Sequence, residues 1–107
     1  MRVIYTKGAR EDLNAIVSYL ERNYPAVISR FEACLEIVIK RIGDWPESAQ
    51  EIAERPGVRG VPLIRYPYKV FYKVTDQAIE ILYIHHTSRR PPWEMRAGRA
   101  DLNNGDD

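Results

Sequence analysis

The first half of the chain shows two segments in which apolar residues recur at helical spacing. In the first they are Ala9, Leu13, Ile16, Val17 and Leu20, and in the second Ile28, Phe31, Leu35, Val38 and Ile42. Each segment is therefore predicted to form an amphipathic helix, the first beginning at Lys7 and the second ending at Gly43. Because only Asn23, Tyr24 and Pro25 separate them, the helices should form an antiparallel hairpin.

The pattern changes to alternation in the second half of the chain, which is typical of strands. Strands are predicted at residues 61–65, 68–75 and 78–86, and a short one at residues 2–5. Residues 46–58 are weakly periodic and should form a loop or a short helical turn. Pro62 lacks an amide hydrogen, so the strand that contains it is expected at an edge of the sheet.

These elements predict an α+β fold in the order β-α-α-β-β-β, with the helical hairpin packed on a small, mostly antiparallel four-stranded sheet. One domain is expected over residues 1–95, followed by a polar, flexible tail at 96–107. The last strand is apolar on both faces and should therefore be central. Its predicted faces are Ile79, Ile81, Tyr83 and His85 on one side and Glu80, Leu82, Ile84 and His86 on the other.

Composition is that of an ordinary globular domain, with 45% apolar and 29% charged residues. The single cysteine, Cys34, excludes an internal disulfide. No apolar run approaches the ~20 residues of a membrane helix, and no signal peptide is visible at the N-terminus. The protein is therefore expected in the cytoplasm, without a membrane partner.

Charge is unevenly placed, although the net charge is only +1. Residues 55–99 carry nine basic and three acidic side chains, whereas residues 1–54 carry seven basic and nine acidic ones. A basic half suggests an anionic partner, either nucleic acid or an acidic protein surface. A charged surface that only keeps the protein in solution is the alternative, and the charge pattern alone does not separate the two.

Candidate functional residues lie near the ends of the predicted strands. The candidate anion- or target-binding cations are Arg59, Arg65, Lys69, Lys73, Arg89 and Arg90, and the candidate proton-transfer residues are His85 and His86. Arginine and lysine can hold a phosphate, and a histidine can move a proton near neutral pH. Strand ends are often polar, and lysines on an exposed strand prevent edge pairing, so a purely structural role is the alternative.

The sequence predicts no metal site and no cofactor. Adjacent strand residues point to opposite faces, which separates His85 from His86. There is no further histidine, Cys34 lies in a predicted core helix, and the spacings typical of zinc sites, serine hydrolases and nucleotide-binding loops are absent.

Three segments taken in order resemble the RelE/ParE toxin superfamily of bacterial type II toxin–antitoxin systems. They are R-G-V-P-L-I-R-Y-P-Y-K-V-F-Y-K-V, the D-Q turn at Asp76, and I-E-I-L-Y-I-H-H-T-S-R-R. The resemblance covers about residues 2–90. It implies a small cytoplasmic toxin that is neutralised by an antitoxin encoded beside it.

The superfamily has two branches with different targets. RelE-like members cut mRNA on the ribosome. By position, Arg65 and Arg89 match their phosphate-binding arginines, and His86 lies near a C-terminal histidine of some members. ParE-like members inhibit DNA gyrase and are not nucleases. The resemblance favours the ParE-like branch, because no catalytic tyrosine stands near Met95, and residues 46–58 carry three glutamates and no lysine where RelE-like enzymes are lysine-rich.

The leading hypothesis is therefore a ParE-like inhibitor of DNA gyrase. The alternatives are a RelE-like, ribosome-dependent endoribonuclease that uses His85 or His86 with Arg65 and Arg89, and a remnant that only binds its antitoxin. An antitoxin segment is expected to add a strand at the edge near Pro62 or at the N-terminal strand, or to lay a helix in an apolar groove. Negative charge on the antitoxin should meet the basic half of the chain.

Overall fold

The computed structural model describes residues 1–89, 92 and 93, which form two helices and one four-stranded sheet. The helices are α1 (Lys7–Asn23) and α2 (Ile28–Asp44), joined by a 3₁₀ turn (Pro25–Val27), and the strands are β1 (Val3–Tyr5), β2 (Val58–Pro62), β3 (Tyr68–Val74) and β4 (Ile79–His86). The element order confirms the predicted β-α-α-β-β-β arrangement and the α+β class. Arg90 and the predicted flexible tail lie outside the described residues.

The strands lie in the order β1-β4-β3-β2, so that β4 is central, as its two apolar faces predict. β1 pairs with β4 in parallel, and the other two pairs are antiparallel. Apolar side chains of both helices pack on one face of this sheet and form a single core cluster. We call the other side, which faces away from the helices, the open face. No helix in the described part of the chain is long and apolar enough to span a membrane.

Thr6 fixes the start of α1 and ties it to the central strand. Its Oγ1 accepts a hydrogen bond from the Ala9 amide at 3.2 Å, which is the usual N-cap contact. The same hydroxyl donates to the carbonyl oxygen of Ile81 at 2.8 Å. One small side chain therefore sets both where the helix begins and how it sits on β4.

Gly43 does not end α2, contrary to the prediction, because the helix continues through it to Asp44. A Cβ atom at this position would lie 3.3 Å from Cγ2 of Val3 in β1. The glycine therefore allows β1 to approach the last turn of the helix closely. The helix ends where the amide of Trp45 donates to the carbonyl of Arg41 at 2.8 Å.

The strand predicted at residues 61–65 lies three residues earlier. Its ladder with β3 runs from Val58 opposite Lys73 to Pro62 opposite Lys69. The prediction was wrong because Leu63, whose side chain is only 4% exposed, looks like a strand residue in the apolar alternation. Its amide in fact donates to the carbonyl of Tyr68 at 2.9 Å and closes the loop between β2 and β3.

A one-residue irregularity in β4 changes which side chains face the core. Phe71 of β3 is paired with Tyr83, but the next residue, Tyr72, is paired with Ile81, so Leu82 is an extra residue on β4. The predicted faces of β4 are therefore wrong beyond this point. On the helix side Ile79 and Ile81 are followed by Ile84 and His86, and on the open face Glu80 is followed by Tyr83 and His85. The two histidines still lie on opposite faces.

Asp12 of α1 satisfies a backbone group next to this bulge. Its Oδ2 accepts a hydrogen bond from the amide of Ile84 at 3.1 Å, across 72 positions of the sequence. A bulge interrupts the ladder locally, so an amide beside it needs an acceptor from elsewhere. The carboxylate supplies that acceptor and links α1 to the C-terminal half of β4.

The open face is partly covered by the C-terminal turn that contains Trp93. The indole ring packs edge-on against Phe71, with ring centroids 5.3 Å apart, and at 6.3 Å from Tyr83. The guanidinium of Arg55 lies over the same indole at 5.7 Å. Trp93 is only 8% exposed, so its indole ring is part of the packing on the open face.

The two edges of the sheet differ. At the β2 edge the chain's own loop takes up the outward backbone groups, since the Ile52 amide donates to Val58 at 2.7 Å and the Gly60 amide donates to Gln50 at 3.3 Å. β1 is the opposite edge strand and is only three residues long. One of its carbonyls, that of Tyr5, accepts from the Arg10 guanidinium at 2.9 Å.

Replacing Asp12 with alanine should lower the free energy of unfolding by about 1 to 3 kcal/mol, because it leaves the Ile84 amide without its acceptor. Chemical denaturation measures the loss. Glu11→Ala is the matched control, since Glu11 is the exposed neighbour and makes no such bond in the described structure. Equal effects of both substitutions, or an unchanged hydrogen-exchange rate at Ile84 in Asp12→Ala, would contradict this role.

Candidate functional site

Two concave surfaces meet at the C-terminal end of β4. The first, on the helix side, has a volume of about 910 Å³, and we call it the tyrosine groove because its lining includes Tyr19, Tyr24, Tyr66 and Tyr68, together with His86. The second, on the open face, has a volume of about 320 Å³, and we call it the cationic pocket because its lining includes Lys69, Phe71, His85, Arg89 and Trp93. His85, His86, Arg89 and Pro92 line both surfaces.

Aromatic rings pack edge-on against each other along the tyrosine groove and beneath it. Phe31 of α2 packs edge-on against Tyr66 and Tyr68, with ring centroids 5.8 and 5.7 Å apart. Tyr68 in turn lies 5.3 Å from the ring of His86, which the bulge has placed on this face. Burial, and secondarily the neighbouring Tyr19, raise the pKa of the Tyr68 phenol, so it remains a neutral hydrogen-bonding group. The groove is therefore an aromatic surface with hydroxyl groups.

His86 is held by the turn that follows it. Its Nδ1 accepts a hydrogen bond from the Ser88 amide at 3.2 Å, and the Ser88 hydroxyl lies 2.7 Å from the same nitrogen. A backbone amide can only donate, so Nδ1 carries the lone pair and the neutral ring carries its proton on Nε2. In this arrangement the ring offers the groove a hydrogen-bond donor and no free base.

The cationic pocket is built around a cross-strand pair. Lys69 of β3 is directly opposite His85 of β4, so both side chains project from the open face. The Lys69 ammonium lies 5.5 Å from the centre of the Phe71 ring. Its stem crosses Gly60 of β2, where a Cβ atom would come within 2.6 Å of the lysine Cε. Gly60 therefore provides the space that holds Lys69 over the pocket.

The remaining predicted cations do not join this site. Arg59 lies within β2, and its Nη1 donates to the carbonyls of Ala49 at 2.6 Å and Glu47 at 3.3 Å, which holds the loop after α2. Arg65 is exposed in the loop between β2 and β3, and Lys73 is exposed near the end of β3. Neither lines the groove or the pocket. Of the predicted set, the structure brings together Lys69, His85, His86 and Arg89 at the cationic pocket.

The sequence offers its tyrosines and tryptophans as candidate partner contacts, because these types are enriched at binding hot spots, but it does not predict how they are grouped on the two surfaces. The groove tyrosines appear in the sequence as isolated helix and loop residues, and only the folded hairpin brings them together. Trp93 follows two prolines that end the predicted strand, which gives no hint that the chain turns back onto the sheet. Phe71 is a large apolar residue on the face away from the helices, and this could have indicated a further covering element.

Among the described residues, no three side chains of histidine, cysteine, aspartate or glutamate are grouped in a way that could hold a metal ion.

Comparison with known proteins defines the class to which this fold and site belong. The family model of the ParE toxin of the type II toxin–antitoxin system, parDE, matches residues 3–91. The match covers most of the chain, so the protein belongs to the ParE toxin family. A solved structure, the chromosomal ParDE TA system from P. aeruginosa, is similar, with a TM-score of 0.63 and 26% sequence identity over 82% of this chain and 97% of that one. No curated protein matches the sequence significantly.

The neutral imidazole of His86 is expected to carry its proton on Nε2, because two groups of Ser88 use Nδ1. A long-range ¹H–¹⁵N correlation spectrum of the two ring nitrogens measures the tautomer directly. Ser88→Ala retains the backbone donor and should leave the tautomer unchanged, whereas the hydroxyl contact is lost. A neutral ring protonated on Nδ1 would show that the turn does not hold His86 as described.

Proposed function

We propose that this ParE-family protein is a toxin that is neutralised by an antitoxin encoded beside it and that inhibits DNA gyrase. The observation that carries the proposal is the match of the ParE toxin family to residues 3–91. Gyrase inhibition and neutralisation by a cognate antitoxin are the finer parts of the proposal, and they rest on the family resemblance together with the chemistry of the two surfaces.

The chemistry around His86 and Glu54 supports an inhibitor over a ribonuclease. Cleavage of RNA by its own 2′-hydroxyl needs a base at the attacking oxygen and cations at the phosphate. The Nδ1 of His86 is engaged by Ser88, so the neutral ring presents a donor only. Glu54 lines the cationic pocket, where its charge would repel an RNA backbone.

Antitoxin binding is supported by the shape of the protein. The tyrosine groove has a volume of about 910 Å³ and an aromatic lining, which suits the apolar face of a folded segment, and tyrosine is a residue type enriched at binding hot spots. The β2 edge is covered by the chain's own loop, so a strand added by a partner would find free backbone groups more readily at β1. Of the two edges predicted from the sequence, β1 is therefore the better candidate.

Induced expression of the wild-type protein should cause filamentation and a DNA-damage response while translation continues, because the proposed target acts on DNA. The purified protein should inhibit supercoiling by gyrase, and added antitoxin should restore it. A supercoiling assay and pulse labelling of new protein measure the two effects. Arrest of translation within minutes, with cleaved mRNA, would instead establish the RelE-like alternative, in which ribosome-bound mRNA is the substrate.

The double variant His85→Ala/His86→Ala should retain growth arrest, since the proposed activity needs no proton transfer. Loss of growth arrest in a variant that folds and still binds antitoxin would count against the gyrase proposal. Absence of any growth defect from the wild type would leave antitoxin binding as the protein's only activity.

A further inference from the structure

We propose that the cationic pocket is a carboxylate-binding site that receives an acidic side chain of the antitoxin. The identity of the partner rests on the proposed function, whereas the chemistry of the pocket rests on the structure alone. The pocket opens on the open face and adjoins the tyrosine groove at the end of β4, where His85, His86, Arg89 and Pro92 line both surfaces.

The position of Lys69 is the first reason. The residue is half-buried and its stem passes over Gly60, where no side chain obstructs it. Packing of the stem leaves the ammonium at the pocket, 5.5 Å from the Phe71 ring centre. Because its stem is already packed, this lysine loses less conformational entropy on binding a carboxylate than a fully exposed lysine does.

The second reason is that Lys69 and Arg89 make no salt bridge with any other described residue. Over residues 1–89, 92 and 93, the one salt bridge joins Lys40 and Asp44 on α2. Lys69 and Arg89 therefore have no carboxylate within 4.0 Å in that part of the chain. Two such cations on one small pocket, with His85 directly opposite Lys69, favour an oxyanion from outside.

The surroundings of the pocket favour a single carboxylate over a nucleic-acid backbone. Glu54 is part of the lining, and the same loop carries Glu47 and Glu51. A phosphate chain brings several negative charges at close spacing and would meet all three glutamates, whereas one acidic side chain brings a single charge to a lining where Lys69 and Arg89 outnumber Glu54. Ile52 and Trp93 add apolar walls that suit the carbon chain of a glutamate or aspartate.

The test uses the full chain and the antitoxin encoded beside it. Lys69→Met retains the apolar stem over Gly60 and Phe71 but removes the charge, and Arg89→Gln does the same for the guanidinium. Each should weaken antitoxin binding by about tenfold, because a partly desolvated charge pair is lost. Calorimetry at low and high salt should also show a smaller salt dependence for each variant than for the wild type.

Two matched controls separate the pocket from the general positive charge. Lys73→Met removes a lysine from the same strand and the same face, and Arg65→Gln removes an exposed arginine that lines neither surface. Both should change the affinity by less than about threefold, as expected for rim charges. Gly60→Ala retains every charge but displaces Lys69, so it should weaken binding as Lys69→Met does, with circular dichroism confirming the fold.

The outcomes decide the proposal. Equal weakening by pocket and control variants, or no weakening by Lys69→Met and Arg89→Gln, would overturn it. It would also be overturned if these two variants kept antitoxin affinity and lost binding to a single-stranded oligodeoxynucleotide. If the wild type failed to inhibit gyrase but the pocket variants still lost antitoxin affinity, the proposed target would be wrong and the carboxylate site would stand.

Discussion

The arrangement of both surfaces depends on one extra residue in the central strand. Leu82 has no partner on β3, and every side chain of β4 beyond it is turned to the face opposite that of an uninterrupted strand. Ile84 thereby enters the core with Ile79 and Ile81, and His86 reaches the ring of Tyr68. The bulge breaks the ladder locally, and the Asp12 carboxylate on α1 supplies the acceptor for the neighbouring amide. A helix side chain therefore stabilises the irregularity that places the histidines.

The existence and order of the elements could be predicted because the apolar periodicity is strong in both helices and in β3. The bulge could not be predicted, since Ile79 to His86 is apolar at nearly every position and alternation then carries no information about register. The predicted position of β2 is wrong for a similar reason, because the sequence does not distinguish a buried loop residue such as Leu63 from a buried strand residue. A glycine after a helical pattern predicts a helix end, but at Gly43 the close approach of β1 is what requires the glycine.

The sequence predicts which types of residue form the candidate site, but not which of them lie together in the structure. Six cations near strand ends looked equivalent, but Arg59 is engaged by two loop carbonyls, and Lys69 alone of the β3 lysines lines the pocket. What distinguishes Lys69 is a contact with Gly60, which is nine positions away and on another strand. Trp93 forms a wall of the pocket by packing on Phe71 and Tyr83. A sequence pattern does not reveal this packing.

The two surfaces impose a geometric condition on any partner that uses both. They lie on opposite faces of one sheet and meet at the end of β4, where His85, His86, Arg89 and Pro92 line each of them. A rigid, flat partner can cover one face, so a partner that fills the groove and also the pocket has to pass around this strand end. A segment that folds on binding can do so, and its second contact then forms at high effective concentration. Under the proposed function, a partly disordered antitoxin meets this condition, and the turn at Arg89 is the point it would have to cross.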